Sequence, residues 1–253
     1  MFIVTGGGSG IGRALAYALA KRSKPVLIIG RREKELTDTA ALSPLISTLC
    51  TDVSTANGRA VVGSYIKDRG HIDALIHNAG IIEPILPISV IGETAWRQAM
   101  GTNVDAPLFL TQLLYDKLTH GRVLHMGSGA SNFPVKGWAA YCVSKAALSM
   151  LTRCWQLESK DVAFASVMPG IIDTPMQEKI RDSAHMESDK LDFFKQLKEE
   201  KQLLLPDTVA LFLCWLLLDI DKSEFVSKEW DIYDTTHHHA WLVPPHQVPP
   251  LGG

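Results

Sequence analysis

The chain has 253 residues, 46% of them hydrophobic, and 25 basic against 27 acidic side chains give a net charge of −2. A chain of this length buries roughly three quarters of its unfolded surface, so it needs no disulfide or metal staple. The charge balance excludes a strongly basic nucleic-acid binder and shows no acidic tail. Four cysteines, Cys50, Cys142, Cys154 and Cys214, form no C-x-x-C pair. They argue against a zinc site or a secreted disulfide framework and for a reducing compartment.

Met1 runs directly into the β-rich stretch Phe2–Thr5, with no basic segment and long apolar run before a cleavage site. The longest apolar run, Val209–Leu218, is too short to span a bilayer and reads as a buried helix. The expectation is a cytoplasmic protein with no membrane partner. Further strands are expected at Val26–Ile29, Ile46–Cys50, Ala74–His77, Val123–Met126 and Val162–Met168, and helices following Ile11, Glu33, Ala56, Glu93, Trp138 and Pro206. Apolar strands alternating with helices predict βαβ units and a parallel sheet covered on both faces. Right-handed crossovers then bring all strand C-termini to one edge, where ligands bind. Thr174–Leu205, rich in charge, reads as a helical lid. The tail, Thr235–Gly253, with three consecutive histidines and two Pro-Pro pairs, is expected to be irregular. A metal at His237–His239 lacks spaced partners, so no metal site is expected.

The first βα turn is Gly6-Gly7-Gly8-Ser9-Gly10-Ile11-Gly12. Its glycines Gly6, Gly10 and Gly12 follow a G-x-x-x-G-x-G spacing rather than G-x-G-x-x-G. The physical purpose is the same: a tight turn, and backbone N–H groups brought to a pyrophosphate at a helix N-terminus. The second strand ends at Gly30, followed by Arg31-Arg32. A carboxylate at that point would hold a ribose 2′-hydroxyl; arginine instead suits a 2′-phosphate. Arg31 therefore favours NADP(H), the alternative being that both arginines cap a solvated helix start.

Tyr141 and Lys145 stand four residues apart in a helical stretch and share a face. A nearby ammonium lowers a tyrosine pKa, which would let Tyr141 exchange a proton with an alcohol or alkoxide. Ser128, thirteen positions earlier, follows a strand and could polarise a carbonyl. Asn103 is expected inside a helix, where asparagine is disfavoured.

The Gly-rich turn, His77-Asn78-Ala79-Gly80, Asn103, Ser128, Tyr141/Lys145 and Pro169-Gly170 occur in the order seen in short-chain dehydrogenases/reductases, and over roughly residues 1–233 the chain resembles that family. The resemblance implies one α/β domain, residues 1–234, with a Rossmann fold: a doubly wound, seven-stranded parallel sheet flanked by helices. It implies a catalytic tetrad of Asn103, Ser128, Tyr141 and Lys145. Tyr141 would be the acid/base, Ser128 would bind the carbonyl oxygen, Lys145 would hold the nicotinamide ribose, and Asn103 would position a relay water. The implied cofactor residues are Gly6, Ser9, Gly10, Ile11, Gly12, Arg31, Asp52, Val53, Asn78, Ala79, Gly80, Tyr141, Lys145, Pro169, Gly170, Ile172 and Thr174. His77 and Gly127 depart from the family's common asparagine and serine. A homodimer or homotetramer is implied, through helices Glu93–Leu118 and Trp138–Glu158.

Lys136–Cys142, Ile171–Gln177 and Glu229–Asp234 are similar to the sepiapterin reductase and benzil reductase branch. On that likeness Asp231 anchors a guanidine-like edge of the substrate. Trp138 either lines the substrate pocket or packs in the core. The reading is an NADPH-dependent carbonyl reductase acting on a vicinal dicarbonyl or an α-hydroxyketone. The alternatives are an alcohol or sugar dehydrogenase, a 3-ketoacyl-thioester reductase, and a non-catalytic NADP(H) sensor.

Overall fold

The computed structural model describes residues 1–250; residues 251–253, part of the expected tail, lie outside the described residues. Strands β1 (Phe2–Thr5), β2 (Val26–Gly30), β3 (Ile46–Cys50), β4 (Ala74–His77), β5 (Arg122–Met126), β6 (Ala163–Met168) and β7 (Trp230–Asp231) form one sheet in the order β3-β2-β1-β4-β5-β6-β7. Every pairing is parallel. This is the doubly wound, single-domain Rossmann-type α/β fold, with the expected seven strands. The two-residue β7 is too short to carry a period and was not among the strands expected from pattern.

The first half of the chain contributes helices α1 (Gly10–Lys21), α2 (Glu33–Ala40) and α3 (Ala56–Ile66). The second half contributes α4 (Glu93–Met100), α5 (Ala106–Leu114), α6 (Ala139–Glu158), α7 (Pro175–Arg181), α8 (Ser188–Glu199), α9 (Pro206–Leu218), α10 (Lys222–Phe225) and α11 (His238–Trp241). Strand alternation sorts side chains to two cores. Phe2, Val4, Val26 and Ile28 pack with α1 and α9 on one face. Ile3, Leu27, Ile29 and Phe164 pack with Val62 and Ile66 of α3 and Leu110 and Leu114 of α5 on the other. The run Val209–Leu218 forms the expected core helix, buried except at Leu211 and Leu218, which are partly exposed. No helix among the described residues is long and apolar enough to cross a membrane.

The chain switches direction across the sheet between β1 and β4, which opens a crevice beyond their C-termini. Asn78 closes its floor. Its Nδ2 donates to the carbonyls of Thr5 at 2.9 Å and Gly6 at 3.1 Å. The Thr5 hydroxyl in turn accepts from the N–H groups of Asn78 and Ala79.

His77, where the family commonly has asparagine, has a partner that pattern alone does not show. It lies opposite His125 on the neighbouring strand, and the two rings stack with centroids 5.2 Å apart. His77 Nε2 hydrogen-bonds Thr111 of α5 at 2.8 Å, and His125 Nδ1 hydrogen-bonds Thr152 of α6 at 2.9 Å. Thr152 already donates its hydroxyl proton to Leu148 O, so His125 Nδ1 must be the donor. His125 Nε2 is then an acceptor, buried with no partner. Burial holds both imidazoles neutral: His125 falls to about 3, by desolvation and then the Lys145 charge, and His77 lies well below its usual value.

The tail corrects the expectation for residues 235–241. They form a turn, Thr235–His237, and then α11, packed on the sheet edge. His237 is buried and stacks on Phe212 at 5.1 Å and Trp215 at 5.3 Å. Trp241 Nε1 donates to His237 Nδ1 at 2.9 Å, so His237 Nε2 carries the proton given to Asp231 O at 3.0 Å. Both nitrogens of His237 are thereby engaged, and no group of three potential metal ligands exists among the described residues. The aromatic packing that orders this stretch joins positions far apart in sequence, so a local composition signal missed it. His246 Nδ1 hydrogen-bonds Thr208 at 3.0 Å and ties the later tail to the start of α9.

Candidate active site

The crevice is a single cleft of about 950 Å³ running along the C-terminal edge of the sheet. At one end, Gly8, Ser9, Gly10 and Ile11 line it where β1 turns into α1. The first N–H groups of α1 have no partners within the helix, and Ser9 caps it without a side-chain bond. Gly12 stands behind the turn. A Cβ there would lie 2.3 Å from Gly6 O and 2.6 Å from Asn78 Nδ2, so only glycine lets α1 pack this close. Arg31 and Arg32 both reach the cleft lining. Arg31 lies 3.9 Å from the Asp52 carboxylate. Arg32 donates to Ser9 Oγ at 3.1 Å and pairs with Glu35 at 3.1 Å. Asp52, Val53, Asn78, Ala79 and Gly80 line the middle, and Pro169, Gly170, Ile172 and Thr174 line the opposite wall. Arg13, also a conceivable phosphate contact, is on an exposed face of α1.

These residues fit a dinucleotide. A helix N-terminus and a glycine turn that admits no side chain at Gly12 suit a pyrophosphate. Two guanidiniums stand at the end where an adenosine 2′ substituent would lie.

Ser128, Tyr141 and Lys145 meet at the other end of the cleft. Ser128 leaves β5 in extended conformation, and its hydroxyl accepts from Ala130 N at 3.2 Å. A Cβ at the residue before it, Gly127, would lie 2.7 Å from Ser166 Oγ, so a serine there would displace that hydroxyl. That departure from the family pattern is matched by Ser166 on β6. Tyr141 and Lys145 lie on the first two turns of α6, as their spacing predicts, with Lys145 Nζ 5.5 Å from the Tyr141 ring centre. Lys145 Nζ donates to Met126 O at 2.7 Å, and burial lowers its pKa to about 8.

The expected depression of the Tyr141 pKa is not found in the protein by itself. Burial raises the phenol, the Ser128 hydroxyl offsets this in part, and the raised value prevails. Lys145 is itself desolvated and directed at Met126 O, so its charge does not reverse the effect of burial.

The side chain of Asn103 is taken up by the fold. It sits in a π-type turn, Gly101–Asp105, between α4 and α5, and is 1% exposed. Its Oδ1 accepts from Ile81 N at 2.9 Å, while its Nδ2 donates to Ile81 O and Ser144 Oγ, each at 2.9 Å. The side chain is thereby fully engaged in fixing the β4 loop against α6, and it does not line the cleft.

Beyond Tyr141 the cleft widens into an apolar lobe under the lid. Trp138 lines it and belongs to the core as well: it stacks on Phe194 of α8 at 5.7 Å and meets Tyr141 edge-on at 5.8 Å. Ile82, Ile180 and Phe194 complete the packing. The lid is the expected helical insertion, formed by α7 and α8. An ion pair joins Lys179 of α7 to Glu83 of the β4 loop, and another joins Lys198 of α8 to Asp173 at 2.6 Å. Asp231 lines the cleft floor, and its Oδ1 accepts from Tyr233 N at 2.9 Å. The Tyr233 hydroxyl, also in the lining, accepts from Ile171 N at 3.1 Å. Phe193, Phe194 and Gln177 of the lid, and Tyr233 after β7, were not singled out from sequence, because only the fold brings them to the cleft.

The sequence pattern of short chain dehydrogenases matches residues 1–185. The chain belongs to the short-chain dehydrogenase/reductase family. Members of this family are oxidoreductases that use NAD(H) or NADP(H). The chain is 35% identical over 248 residues to a benzil reductase ((S)-benzoin forming) of Bacillus cereus, covering 90% of this chain and 96% of that one. It is 30% identical over 199 residues to a sepiapterin reductase of Chlorobaculum tepidum, covering 72% and 81%. The crystal structure of a Saccharomyces cerevisiae short-chain dehydrogenase/reductase superposes with a TM-score of 0.84 at 28% identity, covering 91% of this chain and 94% of that one.

Proposed function

We propose that the protein is an NADPH-dependent carbonyl reductase acting on a vicinal dicarbonyl or an α-hydroxyketone with an aromatic substituent. The observation that carries this is the continuity of one cleft from the arginines, past Ser128, Tyr141 and Lys145, into a lobe walled by Trp138, Phe193 and Phe194. NADPH, when bound, supplies the hydride. Ser128 donates a hydrogen bond to the substrate carbonyl oxygen. Tyr141 gives its phenolic proton to that oxygen as charge develops on it. A raised phenol pKa suits a group that must stay protonated until the oxygen becomes basic. Lys145, with a pKa of about 8, carries charge over much of the neutral range and stabilises the phenolate left behind. The lid and the aromatic packing exclude water and orient the ketone.

Arg31 is the proposed selector for the 2′-phosphate, with Arg32 beside it. Asp231 is the proposed anchor for the far end of a polar substrate such as a pterin. Self-association is also proposed. Phe109 and Leu113 of α5 and Met150 and Leu157 of α6 are exposed apolar side chains that suit it.

The test is oxidation of NADPH and of NADH by the purified protein against benzil, sepiapterin, a simple aryl ketone and a 3-ketoacyl thioester. Preferential turnover of benzil or sepiapterin with NADPH supports the reading. Preference for the thioester, or for NADH, contradicts it.

A further inference from the structure

The polar atoms left without partners are not spread evenly through the molecule. Of the five buried side-chain polar atoms without partners among the described residues, three lie at the lid: Trp138 Nε1, Gln177 Oε1 and Arg181 Nη1. Buried polar atoms are nearly always paired, so such a cluster asks for a partner. Trp138 and Gln177 both belong to the lining of the substrate lobe. Gln177 is 7% exposed. It stands on the first turn of α7, fixed by Gln177 N donating to Thr174 O at 2.9 Å, directly after the wall formed by Gly170, Ile172 and Thr174. No protein group hydrogen-bonds its Oε1, and the lining on this side includes Ile82, Ile180, Met176 and Phe194.

We propose that Gln177 is a specificity-determining residue whose amide binds the second oxygen of the substrate, the one next to the carbonyl that is reduced. This rests on the carbonyl-reductase reading and narrows it. Ser128 and Tyr141 serve the reacting oxygen. A simple ketone offers nothing more to the lobe, and would leave the Gln177 amide buried and unpaired. A vicinal diketone offers a further acceptor, and an α-hydroxyketone a further donor and acceptor. A primary amide serves both, because a half-turn about its last bond exchanges its oxygen for its NH₂. A site holding a polar group with no protein partner discriminates strongly against the substrate that lacks the matching group. The aromatic surroundings take the carbon skeleton, and Trp138 Nε1, which can only donate, is the other unpartnered polar atom of the lining.

The competing structural role has a named candidate. Arg181 is one turn further along α7, on the same face, with its own unpartnered Nη1. A Gln177–Arg181 contact would make the glutamine a lid brace, and its loss would then fall on all substrates alike.

The probes are 1-phenylpropane-1,2-dione and 1-phenylpropan-1-one, which differ by the second oxygen. Their kcat/KM ratio is measured with NADPH for the wild type, Gln177→Met and Gln177→Ala. The dione is intrinsically the more reactive ketone, but that advantage is common to all three proteins and cancels when the ratios are compared. We expect the ratio to fall about tenfold in both variants, mainly through KM for the dione. An unchanged ratio, with both substrates slowed equally, overturns the proposal in favour of the lid brace. Loss of folding in both variants, read by thermal melting, also assigns Gln177 to structure and overturns it. A wild type that reduces neither ketone contradicts the reductase reading itself and takes this proposal with it.

Discussion

The two halves of the cleft are built on different principles. The half around Gly6–Gly12 is held at its main chain, by hydrogen bonds with two side chains, Asn78 and Thr5. Asn78 and Thr5 pair the carbonyls and N–H groups at the strand ends, and Gly12 gives the helix its approach. The half under the lid is held by side chains from distant segments, with Trp138 on Phe194, Lys179 on Glu83 and Lys198 on Asp173. It also retains polar atoms that no protein group satisfies. A half that offers a ligand main-chain N–H groups suits one common to a whole family. A half left polar and unfinished suits a ligand that distinguishes one member.

That contrast predicts where substitutions should act. The largest effect belongs to the half around Gly6–Gly12. Gly12→Ala places a Cβ 2.3 Å from Gly6 O, and backbone cannot yield cheaply. We expect about 3 kcal/mol or more of lost stability and loss of NADPH binding, read by chemical denaturation and by nucleotide fluorescence. Phe194→Ala should act in the other half. Its side chain is buried against Trp138, so truncation costs about 3 kcal/mol of local packing. The cost should fall mainly on closure of the lid. KM for the ketone should rise at least about tenfold while NADPH affinity holds; a parallel loss of NADPH affinity would break the division into halves.

Beneath both halves lies the His77–His125 pair, which predicts acid sensitivity of the whole sheet. Both pKa values are lower in the folded protein than in the unfolded chain. The unfolded state therefore binds more protons below about pH 6.5, and stability falls as pH drops from there toward 3. At pH 5 the His125 contribution alone is about 2 kcal/mol relative to pH 7.5. Urea midpoints at the two pH values measure it, and His125→Gln should flatten the slope whatever it does to stability at neutral pH. The smallest effect belongs to the ion pair at the lid. Burial pushes the Glu83 carboxyl up, but hydrogen bonds from Lys179 and the main chain outweigh this and leave it below its ordinary value. Both side chains are substantially exposed, so Lys179→Ala should cost about 0.5 kcal/mol and the difference should shrink in high salt.

The same division explains what was legible in the sequence. Strands β1 to β6 were readable to within a residue, because buried parallel strands are short apolar runs bounded by turns. The placement of Gly6, Gly10, Gly12, Ser128, Tyr141 and Lys145 was legible because a turn, a strand end or a helix spacing sets each locally, while Asn78 came only from the family resemblance, since its partners Thr5 and Gly6 are far away in sequence. The side-chain contacts of Asn103 were not readable, since its partners Ile81 and Ser144 lie 22 and 41 residues away. Gln177 and Phe194 were hidden for the same reason. The order of residues 235–241 was hidden because His237 and Trp241 are placed by Phe212 and Trp215. The contact of Arg32 with Ser9 was not legible, since the two stand 23 residues apart.

The most direct test of the account is single-turnover oxidation of NADPH by 1-phenylpropane-1,2-dione in the wild type and in Tyr141→Phe, with NADPH affinity measured in both. If Tyr141 is the proton donor at the meeting point of the two halves, the rate falls about 10²- to 10⁴-fold while NADPH binds equally well. A Tyr141→Phe protein that reduces the dione within about threefold of the wild-type rate would contradict the account.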